Sequence, residues 1–204
     1  MAKQVAGREA ASVAERLTDA TNILVLAPSF PDGAGGVCVD LLGGDDPSAM
    51  SVLGVTYTQS PGRWAADYER ETGAPPADGT VISVGDWGVE VGTGTSEWTL
   101  EAVEHAGDLT ALGVTLSEYL TTDAESRRQR LCFDSLTALL QFVELQRAFQ
   151  FLHVVTGRVS SAGTVGHYHL DPQAHDEQTL ATIRGLFDAV VKVDESGEWT
   201  IISR

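Results

Sequence analysis

The residue types best suited to bind a metal ion lie near the C-terminal end of the sequence, in the run 167–171 (HYHLD). If this run is a β-strand, His167, His169 and Asp171 face the same side, because alternate strand residues share a face. Imidazole and carboxylate groups bind Zn²⁺ or another borderline ion, and His175 lies four residues further on. The competing interpretation is structural, because a polar strand end followed by a helix cap, Asp171 or Asp176, has the same composition.

An aspartate ends a second run, Arg130–Leu140 (RLCFDSLTALL). The pattern predicts a buried strand that ends at Asp134 and a helix that begins near Ser135. A carboxylate at the carboxyl end of a buried strand can hold a Mg²⁺-bound water beside bound phosphates. Without a magnesium nucleotide, Asp134 is expected to cap the following helix instead.

Glycines precede another predicted helix, in segment 27–38 (APSFPDGAGGVC). The backbone N–H groups of Gly33, Gly35 and Gly36 could form an anion-binding nest. The alternative is a glycine turn that binds nothing. Asp32 favours that alternative, because it adds a negative charge to the loop, and the two prolines of the loop remove N–H donors.

These blocks, in their order and spacing, resemble the KaiC-like branch of the RecA superfamily of P-loop ATPases. Arg130–Leu140 is similar to the Walker B element, and Val52–Gly62 (VLGVTYTQSPG) is similar to the second strand and the following turn. The runs FLHVVTGRV and LFDAVVKVDESG resemble the C-terminal half, so the resemblance extends from about residue 20 to the end. It implies a RecA-like α/β fold.

The sequence departs from this family at the residues that act on ATP. A working P-loop, G-x-x-x-x-G-K-[ST], supplies a lysine to the phosphates and a hydroxyl to Mg²⁺, and segment 27–38 has neither at that place. The family's adjacent glutamates after the second strand, one of which activates water, correspond to Thr58 and Gln59, which are not general bases near neutral pH. The resemblance therefore implies a degenerate Walker A motif, no catalytic residue, and a nucleotide site, if any, at the three glycines, Asp134 and Ser135.

Acidic residues outnumber basic residues by 29 to 13, and the formal net charge is −16. Such a surface repels phosphate backbones, which argues against direct nucleic-acid binding. The acidic composition, with only Lys3 and Lys192 as lysines, resembles proteins of salt-in halophilic archaea. Neither a signal peptide nor an apolar run of about 20 residues is present, so we expect a cytoplasmic protein without membrane contact.

The alternation of strand and helix patterns predicts a single α/β domain over 1–204, with a doubly wound, mostly parallel sheet flanked by helices and a C-terminal β-hairpin. The predicted strands are 22–27, 52–57, 81–84, 130–134, 151–156, 167–170, 190–193 and 199–202. The predicted helices are 8–20, one that starts at 37–42, 63–71, 109–121, 135–149 and 178–187.

Several further residues are placed by this pattern. Segment 85–108 is predicted to be a loop or small insertion. Trp87 and Trp98, with Trp64 and Tyr68, either form a partner-binding surface or cover the sheet edge. Of the two cysteines, neither has the spacing of a disulfide or zinc framework, and Cys132 is expected in the core. His153 is expected to be a core or interface residue.

The sequence favours a non-catalytic RecA/KaiC-like domain that acts as a regulatory or protein-interaction module and needs no cofactor. Its expected partner is a second copy of the chain, or a related KaiC-like, signalling or transcription protein. Two alternatives stay open. One is a nucleotide-binding protein that takes ATP with Mg²⁺, or a mononucleotide, through a deviant P-loop. The other is a metal-dependent enzyme that uses His167, His169 and Asp171.

Overall fold

The protein is built around one β-sheet, and the computed structural model describes residues 12–28, 34–43, 46–87, 98–120 and 128–202. The strands are β1 (Asn22–Leu26), β2 (Met50–Thr56), β3 (Asp78–Val84), β4 (Trp98–Val103), β5 (Arg128–Asp134), β6 (Val165–Leu170), β7 (Ala189–Val193) and β8 (Trp199–Ile202). They pair in the order β4-β3-β2-β5-β6-β1-β7-β8. Every pair is parallel except β7 with β8, which is antiparallel. The predicted parallel sheet and C-terminal hairpin are confirmed.

Helices cover both faces of the sheet. They are α1 (Val13–Arg16), α2 (Ala34–Gly43), α3 (Pro61–Thr72), α4 (Leu109–Tyr119), α5 (Leu136–Phe142), α6 (Leu145–Ser161) and α7 (Glu177–Arg184), with short 3-10 helices at Pro47–Ala49 and Pro172–Ala174. Among the described residues, no helix is both long enough and apolar enough to cross a membrane.

The two faces have separate cores. Leu24 and Leu26 of β1 pack with residues of α4, α5, α6 and α7, whereas Ile23 and Val25 pack with residues of α1 and α2. A third cluster, which includes Trp64 and Tyr68 of α3, lies over β2, β3 and β5. All five residues of β1 are buried, because helices cover both faces of the parallel sheet. That requirement explains the continuous apolar run in the sequence.

The predicted strand at 151–156 is wrong, because these residues belong to α6. The predicted helix 135–149 is correspondingly two helices, α5 and the first turn of α6. The buried residues of α6 include Ala148, Leu152, Val155 and Val159, whose spacing of three or four is helical. The run FLHVV is apolar enough for a strand, but Val154 is 53% exposed. His153 is exposed too, so of its two expected places, core or interface, the core is wrong.

Segment 85–108 contains a strand that the sequence pattern did not predict. β4 pairs with β3 at the edge of the sheet, and only its first and last residues, Trp98 and Val103, are fully buried. Its burial therefore lacks the alternation that predicts a strand. Residues 88–97 of the predicted loop lie outside the described residues.

Side-chain caps set several of the helix starts. Ser135 Oγ accepts a hydrogen bond from the backbone N–H of Ala138 and caps α5, so the expectation that Asp134 would cap this helix is wrong. Asp176 caps α7, and Asp171 caps the 3-10 helix at Pro172–Ala174. The first helix is four residues long, shorter than the predicted helix 8–20, although residues 8–11 lie outside the described residues.

Candidate functional site

The candidate site is a cavity of about 720 Å³ at the carboxyl ends of the central strands. In a parallel sheet these ends share one edge, and ligands of open α/β folds bind outside that edge. Residues from the ends of β1, β2, β5 and β6, together with α2, α3 and α5, line the cavity. The sheet order thus brings Thr58, Gln59, Asp134, Ser135 and His169 to one place, although they are far apart in the chain.

Asp134 and Thr58 contact each other at this edge. The Thr58 hydroxyl donates a hydrogen bond of 2.8 Å to Asp134 Oδ2. The backbone N–H groups of Thr58 and Gln59 both lie within hydrogen-bond distance of Thr56 Oγ1, at 3.2 and 3.3 Å. The turn after β2 is therefore fixed by Thr56, and it holds a hydroxyl against the carboxylate of Asp134.

The lining of the cavity is acidic. Four carboxylates, those of Asp67, Glu71, Asp134 and Asp171, lie among the described lining residues, and that set includes neither lysine nor arginine. Burial and the neighbouring Cys38 raise the pKa of Glu71. Arg70 forms ion pairs with Asp67 and, at 3.3 Å, with Glu71. A cavity with this lining repels anionic ligands.

The predicted anion nest is only partly described. Gly35 and Gly36 lie in the first turn of α2, where Gly36 is exposed. Gly33 and Asp32 lie outside the described residues, as do the rest of 29–33.

Four side chains lie together on the face of the sheet that α1, α2 and α3 cover. We call this group the Cys/His cluster: Cys38, Cys132, His167 and His169. One donor atom from each lies within 4.8 Å of every other. The Sγ atoms of Cys38 and Cys132 are 3.9 Å apart, and Cys38 Sγ is 3.3 Å from His167 Nε2. Cys132 and His167 are each 1% exposed, whereas Cys38 and His169 are half-buried. Cys38, Cys132 and His169 line the cavity.

The contacts inside the Cys/His cluster shift the pKa of every member. The hydrogen bond with Cys132 and the charge of His167 hold the pKa of Cys38 well below its usual value. The same bond and burial raise the pKa of Cys132 well above its usual value. Burial lowers the pKa of His167. Burial would also lower the pKa of His169, but the hydrogen bond to Cys38 and the charges of Cys38 and Asp134 outweigh it, so that pKa is raised. In this arrangement Cys38 is the favoured thiolate.

The structure keeps two members of the predicted metal triad together and separates the third. His167 and His169 do share a face, but Asp171 lies outside the group of donor atoms. Its Oδ1 accepts a hydrogen bond from the backbone N–H of Gln173 instead. His175 lies within hydrogen-bond distance of Thr137, at 3.2 Å. The sequence contained one signal for the missing members, namely cysteines in two apolar runs, but nothing in it indicated that these runs lie together.

The four aromatic residues divide into a buried group and one exposed residue. Trp98 packs edge-to-face on Trp64 and Tyr68, with ring centroids 6.0 and 5.5 Å away, and donates a hydrogen bond of 2.7 Å to Glu69. Trp64, Tyr68 and Trp98 are buried over one face of the sheet, next to residues of β2, β3 and β5. Trp87 is 40% exposed, and its Nε1 donates to the Val84 carbonyl. Of these four aromatic residues, only Trp87 offers exposed surface to a partner.

A family model described as a family of unknown function, DUF7504, matches residues 20–193. The chain belongs to this family. No curated protein matches the sequence.

Solved structures are similar in fold. A KaiC-like protein from the hyperthermophilic archaeon Pyrococcus horikoshii superposes with a TM-score of 0.53 at 12% identity, over 89% of this chain and 76% of that chain. A second protein from Pyrococcus horikoshii superposes with a TM-score of 0.58 at 12% identity, over 90% of this chain and 86% of that chain. The chain therefore has a KaiC-like, RecA-type fold.

Proposed function

We propose that this chain is a cytoplasmic, non-catalytic KaiC-like domain that acts as a regulatory or protein-interaction module and no longer hydrolyses ATP. The observation that carries the proposal is the pairing of Thr58 with Asp134 at the carboxyl edge of the sheet. A hydroxyl and an amide, those of Thr58 and Gln59, stand where the resemblance expects the catalytic glutamates.

Hydrolysis needs a group that activates the attacking water. Neither the Thr58 hydroxyl nor the Gln59 amide accepts a proton near neutral pH. Asp134 is a carboxylate at the same edge of the sheet, and its Oδ2 accepts the Thr58 hydrogen bond. Its expected role in the family is to hold magnesium, which does not replace a general base.

The charge of the cavity argues against a bound triphosphate. Four carboxylates line it, and Arg70 pairs with two of them, Asp67 and Glu71. Among the described lining residues, no lysine or arginine offsets Asp134 and Asp171. The chain has only two lysines, Lys3 and Lys192. Lys192 lies on β7 and lines a different cavity. A triphosphate at this edge would therefore meet like charges without the lysine that a P-loop provides.

The proposed partner is a second copy of this chain or another protein, rather than a nucleic acid. By resemblance, KaiC-like domains assemble side by side, which favours self-association or pairing with a related KaiC-like, signalling or transcription protein. The net charge of −16 opposes contact with phosphate backbones. Trp87 offers exposed aromatic surface to such a partner.

A second candidate function is binding of a nucleotide without hydrolysis. The cavity of about 720 Å³ lies in the size range of small-molecule sites. Ser135 and Gln141 line it and could hydrogen-bond a base or a sugar. The acidic lining favours a ligand with fewer phosphates than ATP.

Calorimetric titration separates the two candidates. Wild-type protein in molar salt is titrated with Mg-ATP, Mg-ADP and AMP, and Asp134→Asn is the matched variant. We expect no binding heat from any of them. Micromolar binding that Asp134→Asn weakens would overturn the proposal for that nucleotide and establish the second candidate.

A further inference from the structure

We infer that the Cys/His cluster is a structural zinc site, closed by four protein ligands. Cys38 and Cys132 would bind through Sγ, and His167 and His169 through a ring nitrogen. Zinc binding by this cluster does not depend on whether the cavity takes a nucleotide.

The strand register positions three of the four proposed ligands. Cys132 of β5 and His167 of β6 are direct partners across the parallel pair, so their side chains leave the same face of the sheet. His169 is two residues further along β6 and shares that face. Cys38 reaches the site from α2, which packs on this face. The four ligands thus come from one helix and two adjacent strands.

Two of the distances between donor atoms are close to those around a bound zinc ion, and all of them are within 4.8 Å. Tetrahedral Zn²⁺ with Zn–S bonds of about 2.3 Å and Zn–N bonds of about 2.0–2.1 Å separates its ligand atoms by about 3.3–3.8 Å. The Sγ atoms of Cys38 and Cys132 are 3.9 Å apart, and Cys38 Sγ lies 3.3 Å from His167 Nε2. Small side-chain movements would therefore place all four donor atoms on one ion.

The donor set selects the metal by its chemistry. Two thiolates and two imidazoles suit zinc, whereas Mg²⁺ takes oxygen ligands. Zn²⁺ with two thiolates and two neutral imidazoles has no net charge, so the group can be buried without an uncompensated charge. Cys132 and His167, at 1% exposure each, lie in such a buried place.

The number of ligands distinguishes a structural site from a catalytic one. Catalytic zinc keeps one position open for water or substrate and has three protein ligands, whereas four Cys and His ligands close the coordination sphere. A closed site ties α2 to β5 and β6. It also removes the basis for the metal-dependent enzyme with His167, His169 and Asp171 as ligands.

Metal analysis of the wild-type protein is the first test. The full, untagged chain is produced in medium with added zinc, purified under reducing conditions, and analysed for metals and for free thiols after denaturation. We expect one equivalent of zinc per chain. Protein without stoichiometric zinc, or with a disulfide between Cys38 and Cys132 in its place, would overturn the inference.

Variants then test the ligand set. Cys38→Ser and Cys132→Ser should bind zinc at least about 100-fold more weakly, because loss of an outer partner of a ligand already costs 10–100-fold. Asp171→Asn is the matched control, since asparagine can still cap the following turn, and it should keep one equivalent. Zinc lost in Asp171→Asn, or retained at full affinity in Cys38→Ser, would contradict this ligand set.

Cobalt substitution gives a readout that does not depend on how well a variant folds. Zinc is removed from the wild-type protein and replaced by Co²⁺. We expect the intense visible absorption of tetrahedral Co²⁺ and a thiolate-to-cobalt charge-transfer band. A six-coordinate spectrum without the thiolate band would overturn the assignment of two cysteines as ligands.

Discussion

Two adjacent residues at the end of β5 have different roles. Asp134 accepts the hydrogen bond of Thr58 across the strand ends, whereas Ser135 accepts the N–H of Ala138 and starts α5. Both residues line the cavity, but only the serine caps the helix. The two substitutions are therefore expected to change stability by different amounts.

Ser135→Ala should lower the free energy of unfolding by about 1 kcal/mol, because the N-cap of α5 is lost. Asp134→Asn should change it by less than about 0.5 kcal/mol, because the amide oxygen can still accept the Thr58 hydrogen bond. Urea unfolding of both variants in molar salt measures the difference. A larger loss in Asp134→Asn would show that Asp134, not Ser135, supports this helix.

The hydroxyl of Tyr57 is buried at the same edge, on the opposite face of the sheet from the Cys/His cluster. It has no hydrogen-bond partner among the described residues, and burial raises its pKa above the ordinary value. Its ring packs on Phe133, with centroids 6.0 Å apart. The unpaired hydroxyl thus lowers the free energy of unfolding, whereas the packing of the ring raises it.

Tyr57→Phe should leave stability unchanged or raise it by about 1 kcal/mol at pH 8, since an unpaired buried hydroxyl is removed. Because the folded protein keeps Tyr57 neutral to a higher pH than the unfolded chain does, raising the pH above about 10, the pKa in the unfolded chain, favours unfolding. This loss of stability continues until the pH reaches the higher pKa of the folded state. Wild type should therefore lose about 1.4 kcal/mol more than Tyr57→Phe for each pH unit above 10. Urea unfolding at pH 8 and 11 tests this, and equal losses in both proteins would contradict it.

At the scale of the elements, α6 is where local pattern and tertiary structure disagree. Two adjacent valines and three aromatic or aliphatic neighbours give 151–156 a strand-like composition, yet Leu152, Val155 and Val159 are buried at helical spacing. The glycine that follows, Gly157, lies inside this helix, and a Cβ there would meet nothing within 4 Å. Gly54 of β2 is the opposite case, because a Cβ there would lie 2.9 Å from the Trp64 ring.

Gly157→Ala should raise the free energy of unfolding by about 0.5–1 kcal/mol, as alanine replaces glycine in an open helix position. Gly54→Ala should lower it by about 1–3 kcal/mol, because the buried Trp64 must move. Thermal and urea unfolding of the two variants measure both effects. If Gly157→Ala destabilises the protein, this position is not in a regular helix.

Most elements could be predicted from the sequence, because buried parallel strands require apolar runs such as that of β1. The errors have physical causes. β4 lies at an edge and buries only its two end residues, so it has neither a continuous nor an alternating pattern. The run 151–156 has the composition of a strand, and only its packing identifies the helix. The spacing of His167 and His169 correctly predicted that they share a face of β6, where we propose half of the zinc site.

At the scale of the whole molecule, the strand order decides which residues meet. β5 lies beside β6, and β6 beside β1, so residues 38, 132, 167 and 169 converge although the chain separates them by up to 131 positions. No local pattern encodes that order. For this reason the sequence does not assign Cys38 and Cys132 to the proposed zinc site. Strand spacing alone groups Asp171 with His167 and His169.

Self-association is the property of the whole molecule that the proposed interaction role predicts. The net charge of −16 makes copies repel each other at low salt, and the Debye length falls to about 3 Å at 1 M salt. We therefore expect light scattering to give a mass above that of one chain in molar salt, and a lower mass in dilute salt. Trp87→Ala should weaken the association without lowering the melting temperature. A strict monomer at every salt concentration would contradict side-by-side assembly.

The proposed loss of ATP hydrolysis at the carboxyl edge of this KaiC-like fold rests on Thr58, which is bound to Asp134, and on the carboxylates around the cavity. Multiple-turnover release of phosphate from Mg-ATP tests this most directly. The assay compares the zinc-loaded wild-type chain with Asp134→Ala in molar salt, so that any contaminating ATPase contributes equally to both. We expect the wild type to release no more phosphate than Asp134→Ala does. Turnover in the wild type that Asp134→Ala abolishes would contradict it.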